Sequence, residues 1–80
     1  MTAEERAALL AGLHTTPMGE ERIQRNVSPD SDDVIAWCRE RINASDAVIE
    51  RRGKNYYVMS GGCTLTVNAN SHTVITAHKR

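Results

Sequence analysis

The sequence contains no phenylalanine, and Trp37, Tyr56 and Tyr57 are its only aromatic residues. Only 40% of the residues are hydrophobic, so the core is small. With 80 residues the chain forms a single domain, residues 1–80. A domain of that size buries roughly 60% of the surface its unfolded chain exposes, which excludes a deep internal substrate cavity. No apolar run approaches the roughly 18 residues that cross a bilayer. Met1-Thr2-Ala3-Glu4-Glu5 is the opposite of the basic start of a secretory signal. A cytoplasmic protein with no membrane partner is therefore expected. Cys38 and Cys63 are isolated, with no C-x-x-C pair and no histidine nearby at zinc-ligand spacing. Both are expected to be buried free thiols that behave as small hydrophobes. No metal or other cofactor is expected.

Other familiar devices are missing as well. Gly61-Gly62 lacks the Lys-Ser or Lys-Thr of a phosphate loop and reads as a hairpin turn. Asp30-x-Asp32-Asp33 lacks the glycine and the closing Glu of a calcium loop. It reads instead as the acidic start of a helix, where carboxylates meet the positive end of the dipole.

Acidic residues are also absent after Glu50. The formal net charge is zero, yet residues 1–50 carry a net of minus five and residues 51–80 a net of plus five. The basic stretch holds Arg51, Arg52, Lys54, Lys79 and Arg80, together with His72 and His78. Such a division between halves points to an acidic partner or to attraction between the halves.

What is present reads as helices followed by strands. Thr2-x-x-Glu5 is a capping box ahead of a helix from Ala3 to about Leu13, with Leu9, Leu10 and Leu13 as its apolar stripe. Thr16-Pro17 begins a second, short helix to about Arg25, anchored by Ile23. Val34, Cys38 and Ile42 recur at helical spacing and predict a third helix to about Asn43. This helix is expected to be the main partner of the sheet, with Arg39, Glu40 and Arg41 in water. From Ala47 the period becomes two. Ala47–Arg52, Asn55–Ser60, Cys63–Asn68 and His72–His78 predict strands separated by turns. The predicted fold is α+β. Two to three N-terminal helices within residues 1–46 pack on an antiparallel meander of three to four strands within residues 47–80.

Two sets of residues are functional candidates. In the last strand His72, Val74, Thr76 and His78 share one parity, which places two imidazoles and a hydroxyl in a row. Imidazoles suit proton transfer in metal-free RNA cleavage. Lys54 or Arg51 would stabilise the developing phosphorane charge. The second set, Arg51, Arg52, Lys54, Tyr57, Lys79 and Arg80, offers phosphate neutralisation with ring stacking, or docking of an acidic protein. Without a complete catalytic set, the leading expectation is a small non-catalytic binding module for an acidic protein or RNA, with an inhibitor as one form. The alternative is a metal-independent ribonuclease on the last strand. A homodimer through a free sheet edge is a further expectation.

Lys54-Asn55-Tyr56-Tyr57-Val58, Thr66-Val67-Asn68 and Ser71-His72-Thr73-Val74-Ile75-Thr76-Ala77-His78-Lys79 resemble a small bacterial family, domain of unknown function thirty-seven eighty-one. Thr16-Pro17-Met18-Gly19, Arg22-Ile23 and Val34-Ile35-Ala36-Trp37-Cys38 are similar to its helical region. That resemblance implies no particular activity. Helices ahead of a sheet that ends in Thr73-Val74-Ile75-Thr76 are more weakly similar to the barnase, EndoU, colicin and RelE-like ribonucleases. This second similarity implies a scissile phosphate near His72, Thr76 or His78, with Lys54 or Arg51 as cationic helper.

Overall fold

Three helices cover one face of a five-stranded sheet in the computed structural model, which describes residues 1–80. In chain order the elements are α1 (Ala3–Gly12), β1 (His14–Thr15), α2 (Pro17–Val27), α3 (Val34–Asn43), β2 (Val48–Arg52), β3 (Asn55–Ser60), β4 (Cys63–Asn68) and β5 (Thr73–Lys79). The sheet order is β1-β5-β4-β3-β2. The fold is α+β as expected, with one addition. Residues 14–15, expected within the helical region, form a strand parallel to β5, so the sheet is mixed and not a pure meander. Two residues carry no readable alternation, and the pairing partner lies about sixty positions away. The Thr15 hydroxyl reinforces it by donating to the Val74 carbonyl at 2.7 Å.

Each helix begins where a side chain satisfies its free N–H groups. Thr2 and Glu5 form the reciprocal capping box. Thr16 accepts from Gly19 N at 3.0 Å with Pro17 following, and Asp33 accepts from Ala36 N at 3.0 Å. The second helix runs two residues past the expected Arg25, to Val27, which is buried. It stops at Ser28, whose left-handed φ of 45° breaks the repeat. The strands β3 and β4 are joined by Gly61-Gly62 with φ of 57° and 75°, the positive pair that a two-residue hairpin demands.

The register defines two faces. Val58, Leu65 and Ala77 lie side by side and are wholly buried, as are Val67 and Val74, next to Tyr56. They meet Leu9, Leu13, Ile23, Val27, Val34, Cys38 and Ile42 from the helices in one core. α2 makes the larger contact with the sheet, lying along β5, while α3 packs more narrowly on β3. This corrects the expectation that α3 leads. Arg39 and Arg41 are half-buried, not in water. Arg39 Nη1 donates to the Leu10 carbonyl at 2.5 Å and ties α3 to the end of α1.

The opposite sheet face is open except along its β5 edge, where Asn26 of α2 reaches Thr76 and His78. Tyr57, Thr66 and Thr76 form one row across it, and Met59, Thr64 and His78 the next. None of these six is buried. One irregularity controls what this face displays. Thr66 pairs with Thr76 but Val67 pairs with Val74, which leaves Ile75 as an extra residue in β5. Such a bulge resets the alternation, so that Val74 and Ala77, three apart, both point inward. β2 forms one edge of the sheet, and it carries Glu50, Arg51 and Arg52, charges of the kind that discourage strand addition.

Candidate functional site

The basic residues that the sequence groups together are divided in space. Arg51, Arg52 and Lys54 sit at the β2–β3 turn. Lys79 and Arg80 sit at the other end of the sheet, where Lys79 pairs with Cys63 and Arg80 N donates to Gly62 O at 2.7 Å. β3 spans the gap with six residues, roughly 17 Å at strand rise. The first group is engaged locally. Arg52 bonds Glu50 at 2.8 Å and lies 5.7 Å from the Tyr57 ring centroid, while Arg51 lies 5.8 Å from that of Tyr56. These are cation–π distances.

The two histidines of the last strand are separated too. His72 precedes β5 in a turn, with φ of 60°, and its N–H donates to Asn68 O. Its ring lies against Gly12, where a Cβ would come within 2.6 Å of His72 Nδ1. His78 stands near the far end of β5, six positions on, or roughly 20 Å at strand rise. The row of two imidazoles and a hydroxyl is therefore not assembled. Only Thr76 and His78 remain neighbours on one face.

What does come together combines the two halves of the chain. Arg22, Arg25 and Asn26 share one side of α2 at spacings of three and four residues. They line a shallow groove of about 400 Å³ with Thr76 and His78, and no apolar or acidic side chain takes part. Asn26 Nδ2 donates to Thr76 Oγ1 at 3.5 Å and lies 3.4 Å from His78 Nδ1. Arg22 and Arg25 are exposed and neither forms an ion pair, the one pair in the molecule being Arg52–Glu50. Arg25 occupies the last turn of α2, where a cation suits the negative end of the helix dipole. Both arginines escape a reading of the sequence that counts them with the acidic half. Their common spacing with Asn26 was the available signal. Their meeting with β5 was not visible.

The third histidine, His14, is held between Gly12 O (Nδ1, 2.7 Å) and Thr73 Oγ1 (Nε2, 2.9 Å). Thr73 also contacts Ser71 Oγ at 2.8 Å. These bonds fasten β1 to the start of β5. No group of three or more His, Cys, Asp or Glu side chains is arranged to hold a metal. Both cysteines are free and buried as expected, and burial pushes the Cys38 thiol up to about 12. It is no nucleophile at neutral pH. No helix is long and apolar enough to cross a membrane.

A family model described as a protein of unknown function, DUF3781, matches residues 7–78. No curated protein and no solved structure matches the chain, and the weaker similarity to ribonucleases gains no support. The match omits only six residues at the start and two at the end, and the chain belongs to the DUF3781 family.

Proposed function

We propose that the chain is a small non-catalytic module that binds single-stranded RNA across the open sheet face. The observation that carries this reading is the acid-free cluster of Arg22, Arg25, Asn26, Thr76 and His78. It lies at the rim of a face whose register leads through Thr66 to Tyr57. Guanidinium groups recognise phosphate oxygens with two parallel N–H donors. Tyr57 provides a half-buried ring at the level of Thr76, two strands away, or roughly 10 Å. That span suits a phosphate at the arginines and a base stacked on the ring, as sheet-based RNA readers arrange them. Binding is favoured over cleavage because one imidazole faces the cluster, while His72 stands at the opposite end of the strand. Acid–base cleavage of RNA needs a proton acceptor and a proton donor at the same phosphate.

The test is an NMR titration of isotopically labelled protein with a short oligouridine at low salt. Shifts are expected at Arg22, Arg25, Tyr57, Thr66, Thr76 and His78. A titration that moves none of these resonances overturns the reading. Equal shifts produced by an acidic peptide assign the face to an acidic protein instead. Cleavage of the oligouridine during the titration returns the ribonuclease reading.

A further inference from the structure

We propose a second, separate site, in which the groove between α3, the loop after α2 and the Lys79 end of the sheet binds a nucleoside monophosphate. The base lies on Trp37 and the phosphate between Arg41 and Lys79. The groove has a volume of about 470 Å³, within the range of small-ligand sites.

Its walls have three sources. Trp37, Glu40 and Arg41 are three and four residues apart and share one side of α3. Asp30 lies on the loop between α2 and α3. Lys79 enters from the sheet, because the register places it beside Cys63 on the helix-facing side. Successive residues of β5 thus serve different places, His78 the open face and Lys79 this groove.

Arg41 is the observation that points to a ligand. Its Nε is buried and has no hydrogen-bond partner, whereas buried donors are normally paired. Its guanidinium lies on Gly61, where any Cβ would collide with Nη1. The bare backbone of that turn therefore makes room for the arginine. The carboxylate of Asp46 lies near enough to feel the Arg41 charge, but its hydrogen bonds go to Ser60 Oγ at 2.8 Å and Gly61 N at 2.9 Å and none to the guanidinium. No acid lies within ion-pair distance of Arg41 or Lys79. Arg41 and Lys79 line one groove without a direct ion pair, and a phosphate set between them would accept from both.

The remaining lining narrows the class. The indole of Trp37, the only tryptophan in the chain, packs half-buried against the core. It offers a fixed flat surface for a planar ring. Asp30 and Glu40 are acceptors for ribose hydroxyls or an exocyclic amine. They also set a limit on charge, since two carboxylates beside two cations repel the further negative groups of a di- or triphosphate. One base, one sugar and one phosphate match the three kinds of lining.

Adenosine monophosphate, adenosine, inorganic phosphate and adenosine triphosphate are the probes, followed by Trp37 fluorescence and by calorimetry. Saturable quenching by the monophosphate is expected, with the nucleoside, the free phosphate and the triphosphate each at least tenfold weaker. Arg41→Gln and Lys79→Gln are each expected to weaken the monophosphate at least tenfold. Lys79 is exposed, so its variant informs even if the Arg41 variant does not fold. Arg22→Gln with Arg25→Gln is expected to leave this binding unchanged, so the groove and the sheet face fail or succeed separately. No saturable binding of the monophosphate overturns the proposal. So does a triphosphate that binds more tightly, or a Lys79 variant that binds as well as the parent.

Discussion

Replacing Arg22 and Arg25 together by Gln removes the two permanent cations of the α2–β5 cluster and should alter how RNA binding responds to salt. For single strands each neutralised phosphate contributes about 0.7 to the slope of log affinity against log salt. Two arginines therefore account for a slope of about −1.4, and a fourfold rise in salt should weaken binding by about sevenfold through them alone. Both side chains are exposed, so each contact is worth only about 1 kcal/mol. The double variant should then raise Kd about 30-fold at low salt. Glutamine keeps nearly the helix propensity of arginine, and neither position faces the core, so the fold should survive. The assay is fluorescence anisotropy of a labelled oligouridine over a salt series. Lys54→Gln is the control, because that exposed cation stands in the β2–β3 turn, at the opposite end of the sheet from His78. Parallel salt slopes for parent and double variant would refute the reasoning, as would a control variant that changes the slope as much.

Leu65→Ala, at a wholly buried position of β4, is expected to cost about 2–5 kcal/mol by chemical denaturation; a loss below about 1 kcal/mol contradicts the placement of Leu65 in the core. Asp46 has its carboxyl held below the ordinary carboxylate range by the Gly61 N–H and then by the Ser60 hydroxyl. A depressed carboxylate stabilises the native state above the unfolded value of about 4 and loses that effect as pH falls through the native one. Asp46→Asn should therefore melt below the parent at neutral pH and converge with it in acid, and a gap that persists at the lowest pH counts against a role for the charge. Deleting Ile75 should leave a folded protein with a regular β5, whereas deleting Thr64 flips one side of β4 and should abolish the cooperative melt; the opposite ranking in thermal denaturation would contradict the register.

Local chemistry made most of the helical half legible. The caps at Thr2, Thr16 and Asp33 act within three residues, and the burial of Val34, Cys38 and Ile42 follows from their spacing on one helix. The Gly61-Gly62 turn is equally local, since its positive φ values exclude most other residues. Legibility ended where a partner distant in sequence decides the outcome. His14 and Thr15 are strand only because Thr73 and Val74 lie beside them. Arg41 reads as a solvated helix residue until the β3–β4 turn is brought against it.

The candidate face depends on the same limit in sharper form. Counting by twos from the buried Val74 places Thr76 and His78 in the core and leaves Ile75 and Ala77 outside. The extra residue at Ile75 reverses that order, turning Ala77 inward and Thr76 and His78 toward Arg22, Arg25 and Asn26. A bulge is a mismatch in count between two paired strands, two residues on one facing one on the other, and no single strand carries that information. The division of charge along the sequence misleads for a related reason. Addition along the chain mixes the faces of each element, so two arginines among acidic neighbours are counted within an acidic half. Folding separates the faces, and the acid-free surface that results draws on both halves of the chain.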